Sequence, residues 1–449
     1  MSEIKVASCT IEELFSEEIE GTEIKGILEI PEYQRPYVWT EKEINKLLSD
    51  IKEHDKQAMY YLGSIILHKH DDKLSIIDGQ QRLTTLAIIQ YINDTNKVPK
   101  VNYASPVTID NIKKNHSYLK SQKLDDIDFT KLNVTLVVTS SEDDAYTFFE
   151  TQNTGGVRLS GVDIIKAHHL KEVSSERKRD EKYAIVWEKQ KNIEIVVELL
   201  IKVRRWNVLN WLDVPTKRNS KGLKNTIIKD FSEDLLSKSN KAFYCQLIGK
   251  NYSTIEYSPY KFAIRQPLAE GENFIDYLEQ FAGLYQKLFN NETDVDIPAE
   301  YFKFNNNVIS VIDGTVYLKE LYEIAMLCYV NKFGLSDLLE ACFWIFRYTY
   351  SLRVSSAKVV RENSIPAFLQ GGKFIYDIIL SCFNHSQLIS QLKEYEYEFN
   401  PEHTEKDTVK ARFINRVNEF FGDIDVKSYD ESLKKAIECN LKKQSNNER

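Results

Sequence analysis

The sequence predicts an α+β fold in which an amino-terminal domain of strands and helices precedes a mainly α-helical carboxy-terminal region. Strand-like and helix-like segments alternate over the first 170 residues, whereas beyond about residue 185 apolar residues recur with helical spacing. A chain of 449 residues also exceeds the usual length of one domain, which is about 100–200 residues. We therefore predict an amino-terminal domain over residues 1–185 and one or two helical domains over residues 186–449.

The strands of the amino-terminal domain are predicted from short apolar runs bounded by turn residues. A turn at residues 69–72 joins two of these runs into a hairpin. The predicted strands cover residues 26–30, 61–68, 74–77 and 134–138.

The helices of this domain are predicted from helix-start signals and apolar spacing. Thr40 with Glu43, and Ser160 with Asp163, have the spacing of capping boxes, in which two side chains satisfy free backbone N–H groups. The predicted helices run from 41 to about 54, over 83–92, from 141 to the glycines at 155–156, and from 161 to about 170.

The remainder of the chain is predicted as helices rich in tyrosine and phenylalanine. Residues 174–182 form a charge run that indicates a solvated helix face or a hinge. The predicted helices include residues 193–203, 318–329, 335–350, 374–383 and 409–421.

Composition excludes several classes of protein. No apolar run approaches the roughly 20 residues needed to cross a bilayer, and the first residues lack the pattern of a signal peptide, so we expect a cytoplasmic protein. The 6 cysteines contain no C-x-x-C pair, which argues against a disulfide framework or a zinc site. The net charge of −8 argues against a broadly basic, DNA-coating surface, although it permits a local basic groove.

The strongest chemical signal lies in residues 76–86, Ile-Ile-Asp-Gly-Gln-Gln-Arg-Leu-Thr-Thr-Leu. A strand that enters a helix through a glycine leaves backbone N–H groups free at the helix start, and these attract anions. Arg82 adds a permanent, fork-shaped phosphate ligand, and Asp78 is a candidate ligand for a metal that accompanies phosphates. The alternative is that Asp78 caps the helix and Arg82 is a surface cation.

Two other segments carry clustered polar residues. In the 34–39 loop, Gln34 and Arg35 precede Pro36, and Tyr37 and Trp39 are candidates for stacking on a base; alternatively, these aromatic rings fill the core. In the second segment, residues 148–167, Asn153, Asp163 and Lys166 surround a turn on two glycines. Helix capping is the simplest role of Asn153, and Asp163 and Lys166 have the i, i+3 spacing of a weak surface ion pair.

Together the three segments resemble one known family. Gln-Arg-Pro-Tyr-Val-Trp, Asp-Gly-Gln-Gln-Arg-Leu-Thr-Thr-Leu and Phe-Phe-x-x-x-Asn-x-x-Gly-x-x-Leu-Ser-x-x-Asp-x-x-Lys occur here in that family's order across about residues 10–170. The family is the ParB-like, DGQQR-motif amino-terminal domain of GmrSD-type restriction proteins, which is also found in phosphorothioation-dependent phage defence. The resemblance implies a fold similar to ParB and sulfiredoxin and a role in prokaryotic antiviral defence.

The resemblance also implies a site that binds a nucleoside triphosphate (NTP) with Mg²⁺ and hydrolyses the NTP. Asp78, Gln81 and Arg82 are its implied catalytic residues, with Asp78 as the metal ligand. The implied NTP-binding residues are Gln34, Arg35, Gly79, Gln80, Thr84, Asn153, Asp163 and Lys166.

The chain departs from the family pattern at its carboxy-terminal end. Many members carry an HNH nuclease marked by Glu-His-Ile-x-Pro and a later Gly-Asn-Leu, whereas this chain has Glu402-His403-Thr404-Glu405 and no such later motif. A metal-dependent nuclease needs a base and metal ligands close together, and no such set is evident. We therefore expect this chain to sense a nucleotide and a separate nuclease subunit to cut DNA.

Two further functions remain open, together with the partners they imply. The chain is alternatively a non-catalytic module that binds DNA or a protein and uses the nucleotide as a switch, or, as the least favoured reading, an endonuclease. Arg347 and Arg353 beside Tyr348–Tyr350, and the basic residues 217–224, are candidate DNA contacts or solvated faces. A second copy of the chain is a further candidate partner, and no membrane contact is expected.

Overall fold

The computed structural model describes two compact units, Met1–Lys189 and Gln190–Arg449. The described residues are 4–16, 19, 24–31, 34, 36–54, 59–94, 99, 101, 103, 105–122, 127–141, 160–173, 179–209, 220–237, 247–251, 254–257, 260–290, 294–311, 316–357, 359–370, 374–405 and 408–447. Among them, no helix is both long and apolar enough to cross a lipid bilayer.

The first unit is built on a mixed five-stranded sheet. Its elements are β1 (Ile4–Thr10), α1 (Ile11–Ser16), β2 (Ile27–Glu29), α2 (Glu41–Glu53), β3 (Tyr60–His70), β4 (Lys73–Asp78), α3 (Gln80–Asn93), α4 (Pro106–Ser121), β5 (Leu132–Thr139), α5 (Gly161–Glu172) and α6 (Arg179–Lys189). The strand order is β1-β5-β3-β4-β2. β2 runs parallel to β4 and β3 parallel to β5, while β3–β4 and β1–β5 are antiparallel.

The core of this unit lies between the sheet and its helices. Alternate residues of the central strands, such as Leu67, Leu74 and Leu136, are buried with Leu86 and Ile89 of α3. α3 is buried along most of its first nine residues, so its start is enclosed by protein rather than laid on the surface. The site described below therefore lies where a buried strand enters a buried helix.

The second unit is mainly helical. Its elements are α7 (Ile193–Leu209), α8 (Ser220–Ile228), the hairpin β6 (Leu247–Asn251) and β7 (Thr254–Tyr257), α9 (Glu272–Phe289), α10 (Ala299–Phe304), α11 (Val316–Phe333), α12 (Leu338–Ser355), α13 (Ser364–Gln370), α14 (Ile375–Ser381), α15 (His385–Glu394), α16 (Val409–Phe421) and α17 (Tyr429–Asn447). α11 and α12 are buried along most of their length and form its centre. The predicted α+β class with a helical carboxy-terminal region is confirmed.

Both readings of the Arg347–Arg353 segment are wrong. Arg347 lies in the core, where its guanidinium binds the Asp430 carboxylate and the carbonyl oxygens of Leu392 and Tyr395. Arg353 is also buried, with 3% of its surface exposed. Neither side chain is available to a DNA backbone or forms a solvated face.

Candidate functional site

The predicted site residues are brought together by the parallel pair of β2 and β4. Leu28 of β2 lies beside Leu74 of β4, so the two strands end at the same edge of the sheet. The 34–39 loop follows β2, and α3 follows β4. Parallel pairing therefore brings two segments that are about 40 residues apart in sequence to one edge.

Gly79 makes the turn from β4 into α3. Its φ is +95°, a left-handed conformation that glycine adopts without strain. A Cβ atom here would also lie 3.0 Å from Cγ1 of Ile65. The Leu83 N–H donates to the Gly79 carbonyl oxygen at 3.0 Å, so the N–H groups of Gln80, Gln81 and Arg82 precede the first hydrogen bond of α3. The predicted helix start through a glycine is present, and its attraction for an anion stays a prediction.

Arg82 lies against an irregularity in β3. The register of β3 against β5 shifts between Tyr61 and Ser64, and the guanidinium donates to the carbonyl oxygens of Leu62 and, at 2.8 Å, Ser64. Gly63 makes room for it: its φ is +106°, and a Cβ there would lie 2.6 Å from Nη1 of Arg82. Arg82 therefore holds strand β3, and its remaining N–H groups are available to an anion.

Asp78 faces Arg82 across the turn. Its Oδ2 lies 3.9 Å from Nη2 of Arg82, and both side chains are about one quarter exposed, 27% and 26%. This separation is too long for a hydrogen bond. No described residue donates a hydrogen bond to the Asp78 carboxylate, so its oxygens are available to a metal ion or a water molecule.

Gln80 and Thr84 form a buried polar strip on one side of α3. Only 5% of Gln80 and 1% of Thr84 is exposed, and neither Nε2 of Gln80 nor Oγ1 of Thr84 has a hydrogen-bond partner of normal geometry among the described residues. Thr84 does influence its neighbour Tyr103: burial raises the pKa of Tyr103 to about 12, and the Thr84 hydroxyl opposes that rise. A buried donor without a partner is costly, which indicates a place for a bound molecule.

Both polar atoms of the Gln81 side chain form hydrogen bonds with the 34–39 loop. Its Oε1 accepts hydrogen bonds from the N–H groups of Val38 (2.9 Å) and Trp39 (3.2 Å), and its Nε2 donates to the Pro36 carbonyl oxygen at 3.0 Å. Gln81 therefore fixes the 34–39 loop on α3. The structure gives it a positioning role, and direct participation in chemistry stays a prediction.

Tyr37 anchors the same loop in the core. Its side chain is fully buried, and its hydroxyl lies 2.8 Å from Oγ1 of Thr85 and accepts from Nδ2 of Asn115 at 3.1 Å. Burial raises the pKa of Tyr37, so its hydroxyl stays protonated. The structural interpretation of this aromatic residue is confirmed; Trp39 is partly buried and packs against the same core.

Gln34 and Lys166 meet at the start of the loop. Nε2 of Gln34 donates to the Ile77 carbonyl oxygen at 3.1 Å, and Nζ of Lys166 donates to the Gln34 carbonyl oxygen at 3.1 Å. Lys166 also pairs with Glu188 at 3.2 Å, and both side chains are almost fully buried. The Ser105 hydroxyl donates to the same carboxylate. Lys166 thus ties α5 and α6 to the loop.

The other predicted residues have different outcomes. Asp163 accepts hydrogen bonds from the backbone N–H (2.9 Å) and hydroxyl (3.0 Å) of Ser160, which confirms the capping box and leaves a ligand contact as a prediction. Arg35, Asn153 and the helix predicted from Ser141 to residues 155–156 lie outside the described residues.

Two residues at the site escaped sequence reasoning. Gly63 has a usable signal, because a glycine inside a strand often marks a bulge or a close approach of another group. Glu188 has none, since its partner Lys166 is 22 residues away and nothing local distinguishes it from other acidic residues of a charged helix.

The carboxylate at this site fits Mg²⁺ better than a metal ion that needs several protein ligands. Among the described residues, no three His, Cys, Asp or Glu side chains cluster, so those residues form no complete protein cage. Mg²⁺ characteristically takes one or two carboxylates and completes its shell with water and substrate phosphates. The partly exposed Asp78 carboxylate fits that pattern.

Comparison with known proteins gives two matches. Residues 11–170, which contain every predicted site residue, match the family described as GmrSD restriction endonuclease, N-terminal domain. Residues 179–408 match a family of unknown function (DUF7834). No curated protein matches the chain.

Proposed function

We propose that this chain binds and hydrolyses a nucleoside triphosphate within a restriction or defence system, because residues 11–170 match the family described as GmrSD restriction endonuclease, N-terminal domain. That match supports the restriction or defence role. Residues 179–408 belong to the DUF7834 family, whose function is unknown, so this match does not contribute to the proposal.

One observation supports nucleotide binding most strongly. At the start of α3, Nε2 of Gln80 and the first backbone N–H groups have no partner among the described residues, and they belong to the same turn of helix as the Arg82 guanidinium. These groups are all hydrogen-bond donors and carry positive charge or partial positive charge, which is what a polyphosphate requires.

Each residue of the turn has a distinct part in the proposed reaction. The helix N–H groups and Gln80 hold the phosphate oxygens, and Arg82 stabilises the negative charge that develops on them. Asp78 holds Mg²⁺, whose chemistry would be to neutralise phosphate charge. Gly79 permits the close approach of the backbone, and Thr84 offers a hydroxyl one turn farther along α3.

Other residues act by positioning. Gln81, Gln34 and Lys166 fix the 34–39 loop beside α3. Ligand contacts by Arg35, Asn153 and Asp163 are part of the proposal and rest on the family resemblance alone. DNA cleavage is assigned to a separate nuclease subunit.

Phosphate release from the purified full chain tests this proposal. With Mg²⁺ and each of the four common ribonucleoside triphosphates in turn, the wild type should release phosphate, and Asp78→Asn should lower the rate about 100-fold, as loss of an electrostatic contact to the transition state does. Asp110→Asn is the matched control, since that carboxylate is 79% exposed on α4.

Two results would change the assignment. Nucleotide binding without turnover would replace the enzyme by a nucleotide-switched binding module. Turnover that survives in Asp78→Asn would remove Asp78 from the site.

A further inference from the structure

An arginine in the helical unit is buried without a counter-charge among the described residues. Arg353, near the end of α12, is 3% exposed, and neither its Nε nor its Nη2 has a hydrogen-bond partner in the described part of the chain. No described residue accepts a hydrogen bond from any part of its guanidinium. Burial lowers the pKa of Arg353.

A second buried cation lies beside it. Lys410 of α16 is 4% exposed, and its Nζ donates to the carbonyl oxygens of Ser356 (2.8 Å) and Asn400 (2.9 Å). Burial and the nearby charge of Arg353 lower the pKa of Lys410. Lys410 also lies in the first turn of α16, a helix of 13 residues. The positive end of the helix dipole adds to the positive potential of the two side chains.

Three other largely buried arginines of this unit are paired with acidic residues. On the same helix, Arg347 binds Asp430 with two nitrogens. Arg204 and Arg205 share Asp230. Leaving a buried charge without a partner is strongly unfavourable, so the Arg353–Lys410 pair is an exception that requires an explanation.

We propose that Arg353 and Lys410 form a binding site for a small phosphorylated molecule or free phosphate, separate from the nucleotide site of the first unit. A guanidinium fork, an ammonium group and a helix amino terminus together match the charge and donor geometry of a phosphoryl group. The burial of both side chains favours a compact anion over a DNA backbone.

Two acidic residues also act on the charge of Lys410. Glu402 and Glu405 raise the pKa of Lys410, but both are exposed, and among the described residues neither forms an ion pair or hydrogen bond with Arg353 or Lys410. They are the alternative counter-charges that a test must separate from a bound anion.

Calorimetric titration of the full chain with inorganic phosphate, and separately with a nucleoside monophosphate, tests the site. The wild type should bind at least one of them, and Arg353→Met and Lys410→Met should each weaken that binding about tenfold or more, the expected effect of losing a charged hydrogen-bond donor. Arg353→Lys, which retains the charge and loses the fork, should weaken it less. Arg416→Met, which removes an exposed cation of α16, should leave it unchanged.

Thermal unfolding in phosphate-free buffer gives a second, independent readout. Arg353→Met should unfold at the same temperature as the wild type or higher, because it removes an uncompensated buried charge. Arg347→Met should unfold at a lower temperature, because it removes two hydrogen bonds from the Asp430 carboxylate and leaves it with the partly exposed Lys434. Glu402→Gln and Glu405→Gln should have no effect.

Three results would overturn the proposal. They are absence of binding by the wild type, binding that neither Arg353→Met nor Lys410→Met weakens, and a lowered unfolding temperature in Glu402→Gln or Glu405→Gln. The first two would remove the anion site whether or not the first unit hydrolyses a nucleotide.

Discussion

Two adjacent glutamines of α3 show how neighbouring residues of one motif divide their work. Gln80 and Gln81 are buried to a similar extent, 5% and 7% exposed. Gln81 makes three hydrogen bonds to the 34–39 loop, whereas Nε2 of Gln80 makes none with a described residue. The Gln81 side chain therefore maintains the fold, and the Gln80 side chain is the one available to a ligand.

This difference predicts opposite effects of the same substitution. Gln81→Leu should lower the free energy of unfolding by about 2–3 kcal/mol, since it strands buried backbone groups of the loop. Gln80→Leu should leave stability unchanged or raise it, because it removes a buried donor without a partner. Urea unfolding of the two variants measures both effects; an equal loss of stability in the two would contradict the division of roles.

At the scale of elements, the 34–39 loop is held by three helices at once. α3 contributes Gln81, α4 contributes Asn115, and α5 contributes Lys166, whose charge is balanced by Glu188 of α6. The described residues of the loop are therefore positioned by long-range contacts and not by their own sequence.

The buried Lys166–Glu188 ion pair predicts that a double substitution restores stability without restoring nucleotide affinity. Lys166→Met should lower the free energy of unfolding by about 3–5 kcal/mol, because it leaves the Glu188 carboxylate buried and unpaired. The double variant Lys166→Met/Glu188→Leu should recover most of that loss. Its nucleotide affinity should stay reduced, since the Gln34 carbonyl oxygen still lacks its Lys166 contact. Denaturant unfolding with nucleotide titration measures both; a double variant that is no more stable than Lys166→Met would contradict the pairing argument.

Elements with strong local signals are predictable from the sequence. Both capping boxes form, because each spacing, such as that of Thr40 and Glu43, acts over a single turn. α2 also ends within a residue of the predicted position. α4 escaped prediction because its polar, lysine-rich sequence gives a weak apolar period. The role of Arg82 escaped too, since its carbonyl partners lie in a strand 18 and 20 residues earlier.

At the scale of the whole molecule, the helical unit carries buried ionisable groups of its own. Glu323 of α11 is almost fully buried, accepts a hydrogen bond from the Tyr285 hydroxyl at 3.3 Å, and lies 3.8 Å from Lys319. Burial raises the pKa of Glu323 from 4.5 to about 7, outweighing the attraction of Lys319. Charging this carboxylate in the folded protein is therefore unfavourable.

This raised pKa predicts a loss of stability with rising pH. Between about pH 4.5 and pH 7 the folded protein holds a proton that the unfolded chain has released, so the contribution of Glu323 falls through this window and is constant above it. The shift corresponds to about 3 kcal/mol. Glu323→Gln should remove this part of the pH dependence, which chemical unfolding at several pH values measures. A variant with the wild-type slope would contradict the assignment.

Equilibrium binding of magnesium nucleotides to the full chain tests most directly whether the start of α3 is a phosphate site. Wild type should bind at least one of the four nucleoside triphosphates, and Gln80→Leu, correctly folded by circular dichroism, should bind it about tenfold more weakly, as loss of a hydrogen bond to a charged group predicts. Equal affinity in the two proteins, or no binding by the wild type, would contradict a nucleotide site at residues 78–82.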